Sequence, residues 1–194
     1  MILPGTVLFP NTVLPLRIFE PRYRAMLRWA LENDRMFCVA LMKPGITEAE
    51  TEEDFFHTAG IGLVAASITQ ADGTSNLMLN GIARVRFTGF RKGEPFRVAK
   101  TELLRDIDGD REVGMTLADS LRAQCKAILA GNSELPESFT DILGRIPDPG
   151  DLADGVAHAL VADALQRQSL LEQREIPKRL RELSQILGID FPTA

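Results

Sequence analysis

The chain has 194 residues, 45% of them apolar and 25% charged, and a net charge of -5. That length can bury a real core as one large domain or two small ones, and the composition excludes global disorder. The acidic balance weighs against a protein whose main task is to neutralise phosphates.

The charge is unevenly placed. Residues 1–105 carry 13 Lys/Arg and 11 Asp/Glu, whereas residues 106–194 carry 9 and 16. Cys38 and Cys125 lie far apart in apolar contexts, which argues against a disulfide framework and for a reducing cytoplasm. No run of about 18 apolar residues predicts a membrane span. The Met-Ile-Leu-Pro-Gly start lacks the basic segment and cleavage site of a signal peptide.

Residues 6–18 read as extended, with Pro10 and Pro15 keeping the strands short, at an edge or bulged. Pro21 suits the first position of a helix, and Glu20 falls at its N-cap, where a carboxylate can accept orphan N–H groups. Tyr23, Met26, Leu27, Ala30 and Leu31 follow at helical spacing. This reading makes the Glu, Tyr and Arg of "FEPRYR" a strand-to-helix turn rather than a catalytic group. Arg22 and Arg24 are left as solvated cations.

Residues 35–42 form a continuous apolar run, predicting a buried strand, closed by Lys43-Pro44-Gly45. Residues 46–58 are an acidic loop holding Glu48, Glu50, Glu52, Glu53 and Asp54. Asp72-Gly73 predicts a hairpin turn, and Asn80-Gly81 a second turn or a bulge. In "IARVRFTGF", Ala83, Val85 and Phe87 alternate with Arg84 and Arg86, and residues 95–104 read as a last strand. Asp106–Gly114 reads as an acidic linker, after which the apolar period turns helical. Val113, Leu117, Leu121, Cys125 and Ile128 share one helix face. "LPESFTDILG" (135–144) reads as a short helix. Leu152 to Ala164 reads as another, with Asp151 as its cap, and Pro177 starts the last.

Catalytic and metal-binding patterns are missing. The chain has no Gly-x-Ser-x-Gly element and no P-loop. His57 and His158 are far apart, and neither lies near a Cys, a poor set for zinc or for a thiol nucleophile. The acidic loop lacks the spacing of a calcium site. No catalytic residue, metal or cofactor is therefore expected. Phe55-Phe56 beside the acidic loop reads as an edge of the core, with an apolar contact point for a partner as the functional alternative. Arg84, Arg86 and Arg91, with Lys92 and Arg97 nearby, form the one cluster where a nucleic acid could find charge.

The quoted elements carry a family resemblance. Leu8-Phe9-Pro10, the Leu14–Tyr23 turn, the Met36–Met42 run, the Gly60–Ala65 opening, Asp72-Gly73 and Gly81–Arg86 follow the order seen in the Lon N-terminal domain. That domain binds substrates in ATP-dependent Lon proteases. "LLEQREIPKRLREL" resembles its last helices. The resemblance implies an α+β fold, with a PUA-like β-barrel over residues 1–105 followed by a helical bundle over 106–194. It also implies a non-enzymatic module for unfolded or exposed polypeptide segments, free-standing because the ATPase and peptidase parts are not in the sequence. Its expected link is to protein quality control, with a separate protease as a candidate partner. Its groove is expected between barrel and bundle or near Phe55-Phe56. RNA binding through the arginine cluster is the alternative.

Overall fold

The structure is a computed structural model that describes residues 1–91, 95–130 and 143–188; for 127–130 only the backbone is described. Most of the 135–144 segment, Lys92, and the side chain of Ile128 lie outside the described residues. The fold is α+β. The chain divides into two compact units, Met1–Leu104 and Arg105–Ala194.

The first unit holds the strands β1 (Ile2–Leu3), β2 (Val13–Ile18), β3 (Met36–Leu41), β4 (Thr58–Thr69), β5 (Ser75–Arg91) and β6 (Val98–Leu104), with helix α1 (Pro21–Glu32). The sheet order is β1-β3-β4-β5-β2, with β6 also on β5. Among the described residues no pairing joins β1 to β2, so the sheet is not closed. β5 organises it. Antiparallel β4 pairs with β5 from Ser75 to Arg86, β2 pairs with residues 75–80, and β6 pairs with residues 84–91. Since β4 keeps one edge of β5, β2 and β6 share the other in succession. Leu77 and Leu79 are buried while Met78 is exposed, the period-2 pattern that a one-sided core imposes.

Residues 6–9 are not a strand, contrary to the extended reading of the start. They are nevertheless packed into the unit's interior, with Val7 buried and Leu8 and Phe9 fully so. The reason lies in three glycines of β4 and β5. A methyl at Gly60 would overlap the Leu8 carbonyl, one at Gly62 would meet the Leu8 and Leu79 side chains, and one at Gly81 would overlap the Phe9 carbonyl. The Leu8–Phe9 backbone rests directly on this bare strip. Asn11 donates to the Gly81 carbonyl at 2.9 Å, and Gly81 returns a bond to Thr12 at 2.8 Å. Asn80-Gly81 is thus no turn. β5 runs through it, with a register shift between Ile61 and Gly62 opposite.

The hairpin turn lies at Gln70–Thr74, where Gly73 has φ 78° and Asp72 Oδ1 accepts from the Thr74 amide at 2.9 Å. At the start of α1, Pro21 is at the first turn and Glu20 is the N-cap, but the Glu20 carboxylate accepts no capping bond. It grips Arg22 instead, at 2.9 Å from Nε and 2.8 Å from Nη2. Arg22 is therefore ion-paired rather than simply solvated. The Tyr23 hydroxyl donates to the Ile2 carbonyl at 2.8 Å and accepts from the Ile2 amide at 3.2 Å, pinning β1. Burial pushes the Tyr23 phenol above its ordinary pKa.

The second unit holds α2 (Arg111–Ala130), α3 (Pro149–Leu160), α4 (Ala164–Glu172) and α5 (Ile176–Ile186). Asp110 accepts from the Glu112 and Val113 amides at the start of α2. Asp148, not Asp151, caps α3, accepting from Gly150 and Asp151 at 2.8 and 3.0 Å. Residue 164 belongs to a separate helix, which Asp163 caps through the Gln166 amide at 2.8 Å.

The expected linker at Asp106–Gly114 is part of the unit. Ile107 and Glu175 form a parallel bridge, and the Ile176 amide donates to Ile107 at 3.0 Å. Asp106 accepts from the fully buried Arg179, at 3.1 Å from Nη1 and 2.5 Å from Nη2. Asp154, also buried, lies 3.3 Å from Arg179 Nε, and the Gln173 carbonyl accepts from Nη1 at 2.9 Å. These oxygens offset part of the cost of burying the cation, although Nε makes no hydrogen bond among the described residues.

Candidate functional site

A concavity of the first unit has a volume of 590 Å³. One wall is α1, whose 3.6-residue period turns Tyr23 and Met26 inward while Arg22 stays at the rim. The far wall is Phe90 and Phe96, flanking the passage from β5 to β6. The remaining wall is the acidic segment at Ala49–Glu52. A smaller cavity of 210 Å³ shares Met26, Phe90, Phe96 and Arg97 with the first and continues toward Trp29, Phe55 and Phe87. The two form one apolar recess with an arginine-bearing mouth. Methionine and aromatic walls suit apolar side chains of varied shape.

The acidic segment is ordered by its own short-range bonds. Asp54 Oδ2 accepts from the Glu50 and Thr51 amides at 2.9 and 2.6 Å, and Thr51 Oγ1 accepts from the Glu53 amide at 3.3 Å. This is a capping box around a 3-10 turn, Glu52–Asp54. The bonds to backbone amides, Thr51 first, hold the Asp54 carboxyl below its ordinary pKa. The Arg22 guanidinium stands 4.9 Å from the Tyr23 ring centre and 3.3 Å from Glu48. Arg97 Nη2 donates to the Ala49 carbonyl at 3.0 Å and to the Glu50 carbonyl, and its guanidinium lies 5.8 Å from the Phe55 ring centre.

Phe55 is 1% exposed. It sits edge-on to Phe87 and Phe90 at 6.1 and 5.6 Å, a core cluster that reaches the smaller cavity from beneath. Phe56 is half-buried and lines neither cavity. The arginine cluster is dispersed. Arg84 is 2% exposed, Arg86 is exposed and pairs in register with Thr58 and Glu102, and Arg91 stands at the cavity mouth. Arg84 is in register with Gly60 on one side and Leu104 on the other, both buried. Sequence reasoning missed Arg22 and Arg97 as organisers of the mouth, because their partners lie 26 and 47–48 residues away. It also missed Trp29 and Phe96, whose ring centres are 6.3 Å apart.

A second apolar surface lies on the outer face of β2, β4 and β5, where Pro15, Ala66 and Met78 are in register. It is an open depression of 450 Å³ with Ile68 68% exposed. Cys38 and Cys125 are both held above the ordinary thiol pKa by burial, Cys125 at about 11, a setting without nucleophilic character. No group of three or more His, Cys, Asp or Glu placed to hold a metal occurs among the described residues. No described helix is long and apolar enough to cross a membrane.

Residues 1–188 match the family model of the ATP-dependent protease La (LON) substrate-binding domain. The chain belongs to that family. Among curated relatives, the Lon protease of Azospirillum brasilense is 24% identical over 177 residues, covering 91% of this chain and 22% of that protein. The Lon protease of Syntrophus aciditrophicus (strain SB) is 27% identical over 188 residues, covering 94% and 24%. The chain thus spans about a quarter of the length of these relatives. The N-terminal domain of a Mycobacterium avium complex Lon protease superposes with a TM-score of 0.75 at 18% identity, covering 98% of this chain and 97% of that one. A Lon N-terminal domain protein from Xanthomonas campestris gives 0.62 at 21%, covering 96% and 95%. At these identities the structural likeness is one of fold, and it is the family match that identifies the Lon domain.

Proposed function

We propose that this Lon-type domain is a non-enzymatic module that binds exposed apolar segments of polypeptides in the recess between α1, the acidic segment and Phe96. The observation that carries the reading is the recess itself, apolar within, polar at its mouth and built on a substrate-binding family fold. Burial of apolar side chains there supplies about 25 cal/mol per Å² before the costs of ordering the bound segment. Phe55 contributes as the floor of the aromatic cluster, and Phe56 as a flanking contact. The family supports a role in protein quality control, and a separate protease is the partner that this role would call for. The long β5, carrying β2 and β6 in turn on one edge, is read as PUA-like barrel curvature, and α2–α5 as the accompanying bundle.

RNA binding loses its motive, because Arg84 is buried and cannot join Arg86 and Arg91 in one charged face.

The test is fluorescence anisotropy of a labelled, permanently unfolded protein, titrated at low and high salt beside a single-stranded RNA. Saturable polypeptide binding that survives salt, and that weakens about tenfold in Phe96→Glu, is expected. No polypeptide binding, or binding indifferent to Phe96→Glu, would remove this recess from consideration. Salt-sensitive RNA binding would reverse the choice.

A further inference from the structure

We infer that residues 43–57 form a strap that controls entry to the recess, with Arg97 as its latch; the inference rests on the proposed polypeptide-binding role of that recess. The ends of the segment are fixed. Met42 and Phe55 form a bridge, the Lys43 amide donates to Asp54 at 2.8 Å, and the Phe56 amide donates to Leu41 at 2.9 Å. A loop whose ends meet in this way is an Ω-like unit that can swing without disturbing the sheet that carries it. Its tip is internally bonded through Thr51 and Asp54 and so moves as one body, while one bond, between His57 Nε2 and the Glu52 carbonyl at 2.9 Å, ties it to the fixed base. A pivot is present at Gly45, where φ is 81° and no atom would crowd a side chain.

What holds the tip against the recess is sparse. The Ala49 methyl is buried, and Ile46 packs partly against the same core. Beyond the His57–Glu52 bond at the base, the polar ties among the described residues are the exposed Arg22–Glu48 pair and the two bonds from Arg97 to the Ala49 and Glu50 carbonyls. Exposed ion pairs hold weakly, whereas a guanidinium on two carbonyls makes charge-assisted bonds. Arg97 therefore dominates. Its position is set from below by the Phe55 ring, which gives the "FF" next to the acidic loop a physical role. The tip residues Ala49–Glu52 are themselves a wall of the recess, so their displacement widens the mouth.

The experiment compares Arg97→Gln, Glu48→Gln and Arg91→Gln by amide hydrogen exchange without ligand and by the association rate of the same unfolded protein. Arg91 stands at the same mouth, so its variant controls for charge at the rim. Loss of the latch is expected to raise exchange at residues 46–52 by about tenfold, with β4 and β5 unchanged, and to speed association. Glu48→Gln acts the same way more weakly, and Arg91→Gln leaves exchange of the strap alone. Exchange at 46–52 that is unaltered in Arg97→Gln overturns the latch, and so does faster exchange accompanied by slower association. If Arg97→Gln loosens β4 and β5 as well, Glu48→Gln decides, and no rise in strap exchange there overturns the inference. Absence of any polypeptide binding by the unaltered chain would defeat the binding role, while the exchange comparison would still test the strap.

Discussion

In the first unit a stretch of backbone, Leu8–Phe9, lies on a floor of glycines; in the second, helices and an irregular segment close around a fully buried guanidinium, Arg179. The first arrangement depends on the absence of atoms and fails when one is added. The second depends on a charge being matched and fails when its partner or the charge is lost. Shape complementarity of backbone on backbone fixes register without any polar penalty. A buried ion pair tolerates repacking but leaves a costly orphan when broken.

The sharpest way to break the comparison is in the second unit. Asp106→Ala leaves Arg179 buried with one of its carboxylates gone, and should destabilise the unit by about 3–5 kcal/mol. Urea unfolding followed through the helical signal checks it. Replacing Arg179 and both aspartates together by apolar residues of similar volume should restore much of the loss, and failure to do so would mean that the charge network specifies the packing.

The matching change in the first unit is Gly60→Ala. One methyl directed at the Leu8 carbonyl must displace the buried 7–9 segment, at a cost of roughly 1–3 kcal/mol or more. Gly89→Ala, where nothing lies within 4 Å, is the control on the same sheet. Equal effects from the two would refute the bare-floor account.

The contrast also explains what could be read in the sequence. Local signals carried the elements: Asp72-Gly73 marked its turn, Pro21 its helix, and the alternation of Ala83, Val85 and Phe87 its strand. The two organising features are non-local. Nothing within a window around Gly60 says that Leu8 crosses it, and "DIDGD" reads as solvent-facing text unless Arg179, 73 residues away, is brought to it. The recess suffers similarly. Phe55 stood out by composition, but its burial beneath Arg97 depends on strand pairing that periodicity does not encode. Pro147-Asp148-Pro149-Gly150 reads locally as a stop, which leaves Asp151 as the cap; Pro149 at the first helical turn makes it a start.

A smaller effect separates hydrogen bonding from packing in the first unit. Tyr23→Phe keeps the ring inside and removes the hydroxyl that joins both backbone groups of Ile2. About 1–2 kcal/mol should be lost, with amide exchange rising along β1 and its β3 partner ahead of β4 and β5. A uniform rise over the whole sheet would mean that β1 is not an independent edge.

The smallest effect belongs to the second unit and is read in pH. His158, near the end of α3, is half-buried with Nδ1 unpartnered, and burial first, then the Arg167 charge, lowers its pKa below the ordinary 6.5. The unfolded chain then binds this proton more readily than the folded one. Stability must therefore rise with pH across the interval from the folded pKa up to about 6.5 and level off above it. His158→Gln should flatten that part of the profile without altering stability at pH 8, where the imidazole is neutral in both states. Carboxylates such as Asp54 and Asp72, lowered by bonds to backbone amides, contribute a separate loss at more acid pH and belong to the other unit. Melting curves read separately through each unit would resolve the two. A profile for the helical unit that stays sloped between pH 5 and 6.5 in His158→Gln would assign the proton elsewhere.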